Sequence, residues 1–325
     1  MDIPRRRLLR LAANAAILAI LPTIAKAQTY PSRPVRIVVG LAPGGANDIL
    51  ARLIGQWLSQ QFSKPFVVEN RPGAATNVAT EAVVRSAPDG YTLLLVGPPA
   101  AINATLYTEL NFNFVRDLAP VAAISRETNV MVVHPSFPAK TVADFIAYAK
   151  TRPGKLNFAS GGIGTSPHMA GELFKSMTGI DIVHVSYRGA AAALAGLLDG
   201  TVHTMFATMS SSIGFVKGGE LRPLAVTAAT RSLLLPEIPT VGEFVSGYEA
   251  SAWYGIVVPR NTPVEIVGKL NKAINAGLAD PSIRARLVAL GSTVLGGTPA
   301  DFGALLVEET KKWGKLIRQA NIRAD

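Results

Sequence analysis

Two glycine-rich stretches carry most of the chemical potential of this 325-residue chain. The first is Gly40-Leu41-Ala42-Pro43-Gly44-Gly45-Ala46-Asn47-Asp48, and the second is Ser160-Gly161-Gly162-Ile163-Gly164-Thr165-Ser166-Pro167. Each lies between a β-rich run and a stretch of helical period. Glycine lets a backbone approach a ligand closely and turn its N–H groups inward. The helix behind adds partial positive charge at its N-terminus. A loop of this kind binds an anion without Lys or Arg. Asn47 or Asp48, and Ser166 ahead of Pro167, are candidate caps that compete for the same N–H groups. One such loop reads equally well as a tight turn, whereas two at matching places favour a shared ligand.

Enzymatic patterns are broken or missing. Gly162-Ile163-Gly164 lacks the third glycine of a dinucleotide fingerprint, because Pro167 stands there, and no clear acidic residue follows on the next strand. No stretch fits a P-loop. Gly164-Thr165-Ser166-Pro167-His168 misses the nucleophile elbow at its last position, where His168 would crowd the strained turn. Of His134, His168, His184 and His203, no two share metal-ligand spacing on one helix. His134 and His184 fall in or beside strands, where packing or capping is expected. His168 directly follows the second loop and is a candidate neighbour of the ligand. Glu308-Glu309 reads as a solvated helix edge, not an acid–base pair. No catalytic residue, metal or cofactor is expected.

The elements that must position these loops alternate. Val35–Val39, Phe66–Glu69 and Leu93–Val96 read as strands, with helices over Asp48–Phe62 and Thr76–Ser86. The rhythm changes at Leu118–His134, where the apolar runs Val121–Ile124 and Val130–Val133 have no helix between them and suggest a crossover between two lobes. Alternation then restarts. Helices read over Val142–Thr151, His168–Met177, Ala190–Leu198 and Ser211–Lys217, and strands over Asn157–Ser160, Val183–Val185, Thr204–Ala207 and Leu224–Val226. An isolated strand, Trp253–Val258, precedes long helices over Pro263–Ala279 and Pro299–Ala320, and Pro263, Pro281 and Pro299 each suit a helix's first turn. Short apolar strands alternating with longer helices imply an α/β fold with a parallel sheet covered on both faces.

Composition removes further classes. With 49% hydrophobic residues the chain is too apolar to be disordered, and with no cysteine it can hold neither a disulfide nor a lipid anchor. The formal charge of +10 hints at nucleic acid only until the charges are located. Residues 1–27 read as an export signal: Arg5, Arg6, Arg7 and Arg10, a short apolar run Leu11–Leu21, and an Ala25-Lys26-Ala27 cleavage pattern before Gln28. The apolar run is about half of the roughly 20 residues that span a bilayer. Pro4-Arg5-Arg6-Arg7-Leu8-Leu9-Arg10 resembles the twin-arginine consensus, with the general secretory route as the alternative. This segment holds five of the basic residues against Asp2, so the remaining 298 carry 27 basic and 21 acidic residues, a net +6. The densest basic group, Lys311, Lys312, Lys315, Arg318 and Arg323, reads as the solvated side of a terminal helix, and no nucleic-acid partner is expected.

Many separated motifs then agree with one family. They include Tyr30-Pro31-Ser32-Arg33-Pro34-Val35, Ala42-Pro43-Gly44-Gly45, Val68-Glu69-Asn70-Arg71-Pro72-Gly73-Ala74 and Pro88-Asp89-Gly90-Tyr91-Thr92-Leu93. Pro153-Gly154-Lys155-Leu156-Asn157, Gly164-Thr165-Ser166-Pro167-His168, Gly171-Glu172-Leu173-Phe174 and His184-Val185-Ser186-Tyr187-Arg188-Gly189 follow. Pro236-Glu237-Ile238-Pro239-Thr240-Val241 and Gly296-Gly297-Thr298-Pro299 complete the series. The chain resembles the Bug family of extracytoplasmic solute receptors, the binding-protein component of tripartite tricarboxylate transporters.

The resemblance implies a periplasmic-binding-protein type II fold, with two α/β lobes around a ligand cleft joined by crossing strands. Lobe one would be residues 28–124 plus 252–325, and lobe two 125–251. The ligand would be a small carboxylate. Contacts are implied at Leu41, Pro43, Gly44 and Gly45, with Asn47 and Asp48 behind them, largely through backbone groups and water. The second loop would supply Ser160, Gly161 and Gly164, with Thr165 and Ser166 as hydroxyl donors and His168 adjacent. Tyr187, Ala207 and Thr208 complete the set. Family members usually carry an aromatic residue at Leu41, and many have Asp at His203 and Asp or Asn at Ala207, a cleft position that can pair with a ligand amino group. Ala207 cannot accept such a bond, so the expectation is a simple or aromatic acid and not an amino acid. The protein so implied is a soluble periplasmic monomer without a lipid anchor, not an enzyme. It closes on its ligand and delivers it to two integral membrane subunits. A ligand sensor, or an enzyme using the same cleft, would be the alternatives.

Overall fold

The computed structural model describes residues 30–319 and 322–324, and the chain from Arg33 onward forms one compact unit. The export signal read over residues 1–27 lies outside the described residues. Among the described residues no helix is long and apolar enough to cross a membrane.

A ten-stranded sheet organises the unit. Strands β1 (Val35–Val39), β2 (Phe66–Asn70) and β3 (Thr92–Val96) pair in parallel in the order β2-β1-β3. Strands β5 (Leu156–Ser160), β6 (Ile182–Ser186) and β7 (Thr204–Thr208) form a second parallel set in the order β7-β5-β6. Between the two sets lie β4 (Leu118–Val133) and β9 (Ser251–Pro259), which are antiparallel to each other and to their flanking neighbours. The expected parallel sheet therefore holds in each half but not at the centre. Strands β8 (Arg222–Val226) and β10 (Ser292–Val294) also pair with β4.

Two readings change here. The runs at 121–124 and 130–133 are one strand of 16 residues, because Ser125–Asn129, polar by sequence, is nonetheless buried apart from Arg126 and Thr128. The run at 253–258 is not isolated: β9 is buried along its whole length between β3 and β4. Strand β4 pairs with β9 up to Thr128 and with β7 and β8 from Asn129 and Val130 onward, so a single chain segment passes from one half to the other. Register shifts at Pro120/Ala122 and Ala123/Ser125 bend it as bulges do.

Helices cover both faces. They are α1 (Ala46–Phe62), α2 (Asn77–Val84), α3 (Pro98–Leu106), α4 (Phe114–Asp117), α5 (Val142–Lys150), α6 (Ser166–Thr178), α7 (Ala190–Leu198), α8 (Met209–Lys217), α9 (Val264–Ala279), α10 (Pro281–Ala289) and α11 (Pro299–Gln319). Helix α3, unread in the sequence because Pro98-Pro99 resembles a loop, starts with both prolines where missing N–H groups cost least.

The apolar cores divide by half. One gathers Val38, Leu94, Trp253, Val257, Phe302 and Leu306. Another gathers Met131, Phe145, Phe158, Phe174, Phe206 and Trp313. A third packs Val130, Ala159, Leu197, Met205 and Ala207 under α7 and α8. Helix α11 contributes Phe302 and Leu306 to the first and Trp313 and Ile317 to the second, so it straps both halves. Its buried positions recur on one face, while Lys311, Lys312, Lys315 and Arg318 are exposed as read. Glu308 is solvated but Glu309 is not: its carboxylate accepts from Trp313 Nε1 at 2.8 Å and lies 3.7 Å from Arg126.

Strand β9 leaves no room at Gly255, where a Cβ would stand 2.3 Å from Phe302 Cζ and 2.6 Å from the Ala122 carbonyl oxygen. Gly255→Ala is expected to destabilise the protein by about 1–3 kcal/mol through overpacking. A urea titration measures it, and an unchanged midpoint would contradict the packing described.

Candidate functional site

Five strands run into helices at their carboxyl ends, and all five junctions meet at one cleft. They are β1–α1, β3–α3, β5–α6, β6–α7 and β7–α8. The cavity between them has about 470 Å³ of empty space, part of it open to solvent. Crevices at the carboxyl ends of strands are the usual ligand sites of open α/β sheets.

The first loop is held from behind. Gly40 passes so close to Thr76 that a Cβ would overlap the Thr76 side chain. Gly44 adopts φ +86°, and its N–H donates to Asp48 Oδ2 at 3.1 Å. Arg52 donates to the same oxygen from Nε at 3.0 Å, and to Asn70 Oδ1 at 3.2 Å. Asn70 in turn donates to the Leu41 carbonyl at 3.0 Å. Burial alone would raise the Asp48 pKa, but the bonds from Arg52, Gly44 and Asn70 and the Arg52 charge outweigh it, so the carboxylate stays ionised.

The second loop is held by neutral imidazoles. Ser160 Oγ donates to the Gly162 carbonyl at 3.0 Å and lies 2.7 Å from His184 Nε2. Gly164 adopts φ +74° and donates its N–H to His168 Nδ1 at 3.1 Å. This bond requires Nδ1 to be unprotonated. The His168 and His184 rings lie against each other, tilted by 32° with centroids 4.0 Å apart. Burial pushes His168 down to about 3, helped by the charges of His184 and Lys175, and pushes His184 down to about 4, helped by Lys175.

Of the residues singled out by sequence, Leu41, Gly45, Asn47, Gly161, Thr165, Ser166 and Thr208 line the cavity. Pro43 and Gly44 are exposed outside it. Asp48, Ser160, Gly164 and His168 stand behind the loops with the partners just given. Tyr187 packs towards Gly196. Ala207 faces the apolar core under α7, not the cleft, so its missing acceptor has no bearing on the ligand. The Thr165 hydroxyl donates to the Gly162 carbonyl at 2.7 Å, which commits its proton and leaves it as an acceptor. Ser166 Oγ accepts from Asn129 Nδ2 at 2.8 Å and keeps its own proton to donate.

Ala42, Ala46 and Pro167 lie in the two loops read from sequence and also line the cavity, whereas Pro98, Pro99, Ala190 and Tyr254 in the lining were missed. The available signal was positional: Gly97-Pro98 and Gly189-Ala190 are also strand-to-helix junctions. Tyr254 stands on β9, with Glu127 as hydrogen-bond neighbour of its hydroxyl. Glu127 also accepts from Ser210 N at the start of α8. Its burial raises it to about 7, against bonds from Ser210 and Tyr254 that lower it.

Among the described residues, no Asp, Glu, Lys, Arg or His lines the cavity. What converges instead is helix polarity. The N-cap residues of the cleft helices, Gly45, Gly97, Thr165, Gly189 and Thr208, make no side-chain cap bond. Several helices starting elsewhere are capped: α4 by Asn113, α5 by Thr141 and α10 by Asp280. First-turn N–H groups have no partner within a helix, so an uncapped N-terminus in a cleft is an open anion site. Helices α3 and α8 are exceptions: Pro98 and Pro99 have no N–H and present only rings, and Ser210 N in the first turn of α8 donates to Glu127. The walls meet: a Cβ on Gly189 would lie 2.9 Å from that of Ala42, and one on Gly45 3.7 Å from that of Ala190.

A two-sided α/β cleft of this kind is that of a solute-binding receptor, and solved structures agree. A protein of R. palustris, Rpa4515 with adipate, is 37% identical, with TM-score 0.88 over 90% of this chain and 99% of its own. MatC (Rpa3494) from Rhodopseudomonas palustris with bound malate is 28% identical, with TM-score 0.84 over 89% and 100%. Protein BugT of Bordetella pertussis is 32% identical over 302 residues, 91% of this chain and 92% of its own. The family model described as tripartite tricarboxylate transporter family receptor matches residues 50–322. The chain belongs to that receptor family.

The buried histidines make stability depend on pH. Below 6.5 the unfolded chain takes up protons that the folded imidazoles refuse until about 4 and about 3. Stability is thus lost as the pH falls from 6.5, by up to about 1.4 kcal/mol per pH unit for each histidine. Glu127, raised from 4.5 to about 7, has the opposite sign between those values and offsets one of them. Urea midpoints are expected to drop between pH 6.5 and 4.5 with the slope of about one proton. Glu127→Gln steepens the drop and His184→Gln flattens it; parallel curves for all three would contradict these environments.

Proposed function

We propose that this protein is an exported, periplasmic solute receptor that closes on a small carboxylate and hands it to two integral membrane subunits of a tripartite tricarboxylate transporter. Residues 28–124 with 252–325 act as one lobe and 125–251 as the other, with β4 and β9 as the crossing strands. The observation that carries this reading is the convergence of uncapped helix N-termini on a cavity without a charged side chain. Helices α1, α6 and α7 aim first-turn N–H groups at one space, and each terminus favours an anion by roughly 0.3–1 kcal/mol, more when desolvated. Adipate and malate in the related structures support a carboxylate as the anion.

The apolar remainder of the wall, Leu41, Pro98, Pro99 and Ala190, suits the carbon skeleton of an organic acid. An α-amino group would find no carboxylate in the lining to pair with, and burying an unpaired ammonium is costly. Closure follows from geometry: donors on α1 belong to one lobe and donors on α6 and α7 to the other, so only the closed form gives the ligand all of them. The cleft binds and does not turn over its ligand, since no nucleophile paired with a base lines it.

Native mass spectrometry of the purified protein, followed by calorimetry with adipate, malate, aspartate and glutamate, tests this. A dicarboxylate should raise Tm by an amount that grows with concentration, equivalent to about 2.7 kcal/mol at one hundred times Kd. Ser166→Ala should weaken binding about tenfold, as expected for one lost bond to a charged group. Tight aspartate or glutamate binding with no response to the other acids would sink the ligand class. Turnover of a bound acid would sink the receptor role.

A further inference from the structure

The two ligand loops share a device that neither sequence motif reveals. In each, the third residue of the helix accepts a hydrogen bond from the backbone N–H of a left-handed glycine four residues earlier. Asp48 holds Gly44 at 3.1 Å, and His168 holds Gly164 at 3.1 Å. At the start of α5 the third residue, Asp144, makes the same bond to Lys140 N at 3.1 Å. There a full capping box accompanies it: Asp144 Oδ2 also accepts from Thr141 N at 3.0 Å, and Thr141 Oγ1 accepts from Asp144 N in return. In the cleft loops that return bond is missing. Gly45 has no side chain, and Thr165 turns its hydroxyl to Gly162.

We infer that the two loops carry an unfinished version of this start, with the bond to the residue before the N-cap but without the reciprocal pair at the N-cap, in which Asp48 and His168 are positioning residues that fix the loop from behind while the empty half leaves first-turn N–H groups for the ligand. This rests on the carboxylate-receptor reading above. The two acceptors differ in charge for a physical reason. Asp48 has Arg52 to neutralise it, with a contact of 2.9 Å. His168 faces His184, Lys175 and Glu172 and has no guanidinium, so a neutral acceptor spares the anion site a second negative charge.

Two kinds of variant test this. His168→Phe keeps a ring of similar size but no acceptor, and His168→Asn keeps an acceptor near Nδ1. Exchange of the Gly164 amide, followed by NMR in glycine-labelled full-length protein, should speed up about tenfold in His168→Phe, as for one lost bond. His168→Asn should recover most of that protection. Adipate affinity should follow the same order. Gly45→Ser builds the missing half: the backbone there is extended, at φ −90° and ψ 171°, and a Cβ has ordinary contact with Ala190 at 3.7 Å. It should raise the Tm of the unliganded protein and weaken adipate binding about threefold or more, since the new hydroxyl competes for the ligand's donors. Unchanged Gly164 exchange in His168→Phe, or equal loss in Phe and Asn variants, overturns the positioning role. Undiminished adipate affinity in Gly45→Ser overturns the assignment of the open half. If the wild type binds no acid at all, the receptor reading fails while the exchange results still decide the role of His168.

Discussion

An α-helix cannot satisfy the N–H groups of its own first turn. Proteins meet this cost with side-chain caps, water or ligands, and here the choice differs between helices: α2 and α9, away from the cleft, begin without a side-chain cap, whereas others carry one. Away from the cleft, Asn113, Thr141 and Asp280 cap their helices. At the cleft, two glycines and a turned-away threonine leave first-turn donors of α1, α7 and α6 without a side-chain cap, while Glu127 takes one from α8. The parallel strand sets put these helix starts on one edge, the crossing strands bring the two sets face to face, and the glycines at 45, 161 and 189 let the loops approach. Each of these features serves the concentration of unpaired donors in one place.

The joint between the halves carries its own polar load. Strand β4 changes partners at Thr128 and Asn129, and some of the buried groups around that point hold the cavity wall, while Ser125 Oγ, Glu127 Oε2 and Asn129 Oδ1 have no hydrogen-bond partner among the described residues. Asn129 donates to Ser166 in the cavity wall, Glu127 accepts from the first turn of α8, and Arg126 reaches Ser251 and Glu309. The same short segment that connects the halves therefore also orients cavity residues contributed by each. Helix α11 adds an apolar strap with Phe302 in one core and Trp313 in the other.

Much of this was legible in the sequence where local pattern and tertiary role coincide. The strands at 35–39 and 156–160, the helices at 142–150 and 190–198, and both glycine loops follow from periodicity and turn chemistry. What escaped reading depends on partners distant in the chain. The polar stretch from Ser125 to Asn129 looks like a break, yet its burial comes from β9, β10 and α8. Pro98-Pro99 looks like a loop, although two prolines fit a helix start. Ala207 resembles a cleft position by alignment of motifs, but the strand's alternation turns it to the core. Ser160, Asp48 and His168 were noticed for the right neighbourhood; that they serve the loop from behind is a matter of direction, which spacing alone does not encode.

Recognition through the main chain also separates two things that could otherwise drift together. Every non-proline residue supplies the same N–H, so the donors of α1, α6 and α7 persist through substitutions that keep the local φ and ψ. The prolines that open α3, by contrast, contribute only shape, as do Leu41 and Tyr254. On the proposed reading, the anionic head of a ligand would meet a part of the protein nearly indifferent to mutation, and the rest of the ligand side chains free to vary. A lineage built on this scaffold can exchange one acid for another by repainting a wall, without rebuilding the socket that holds the charge.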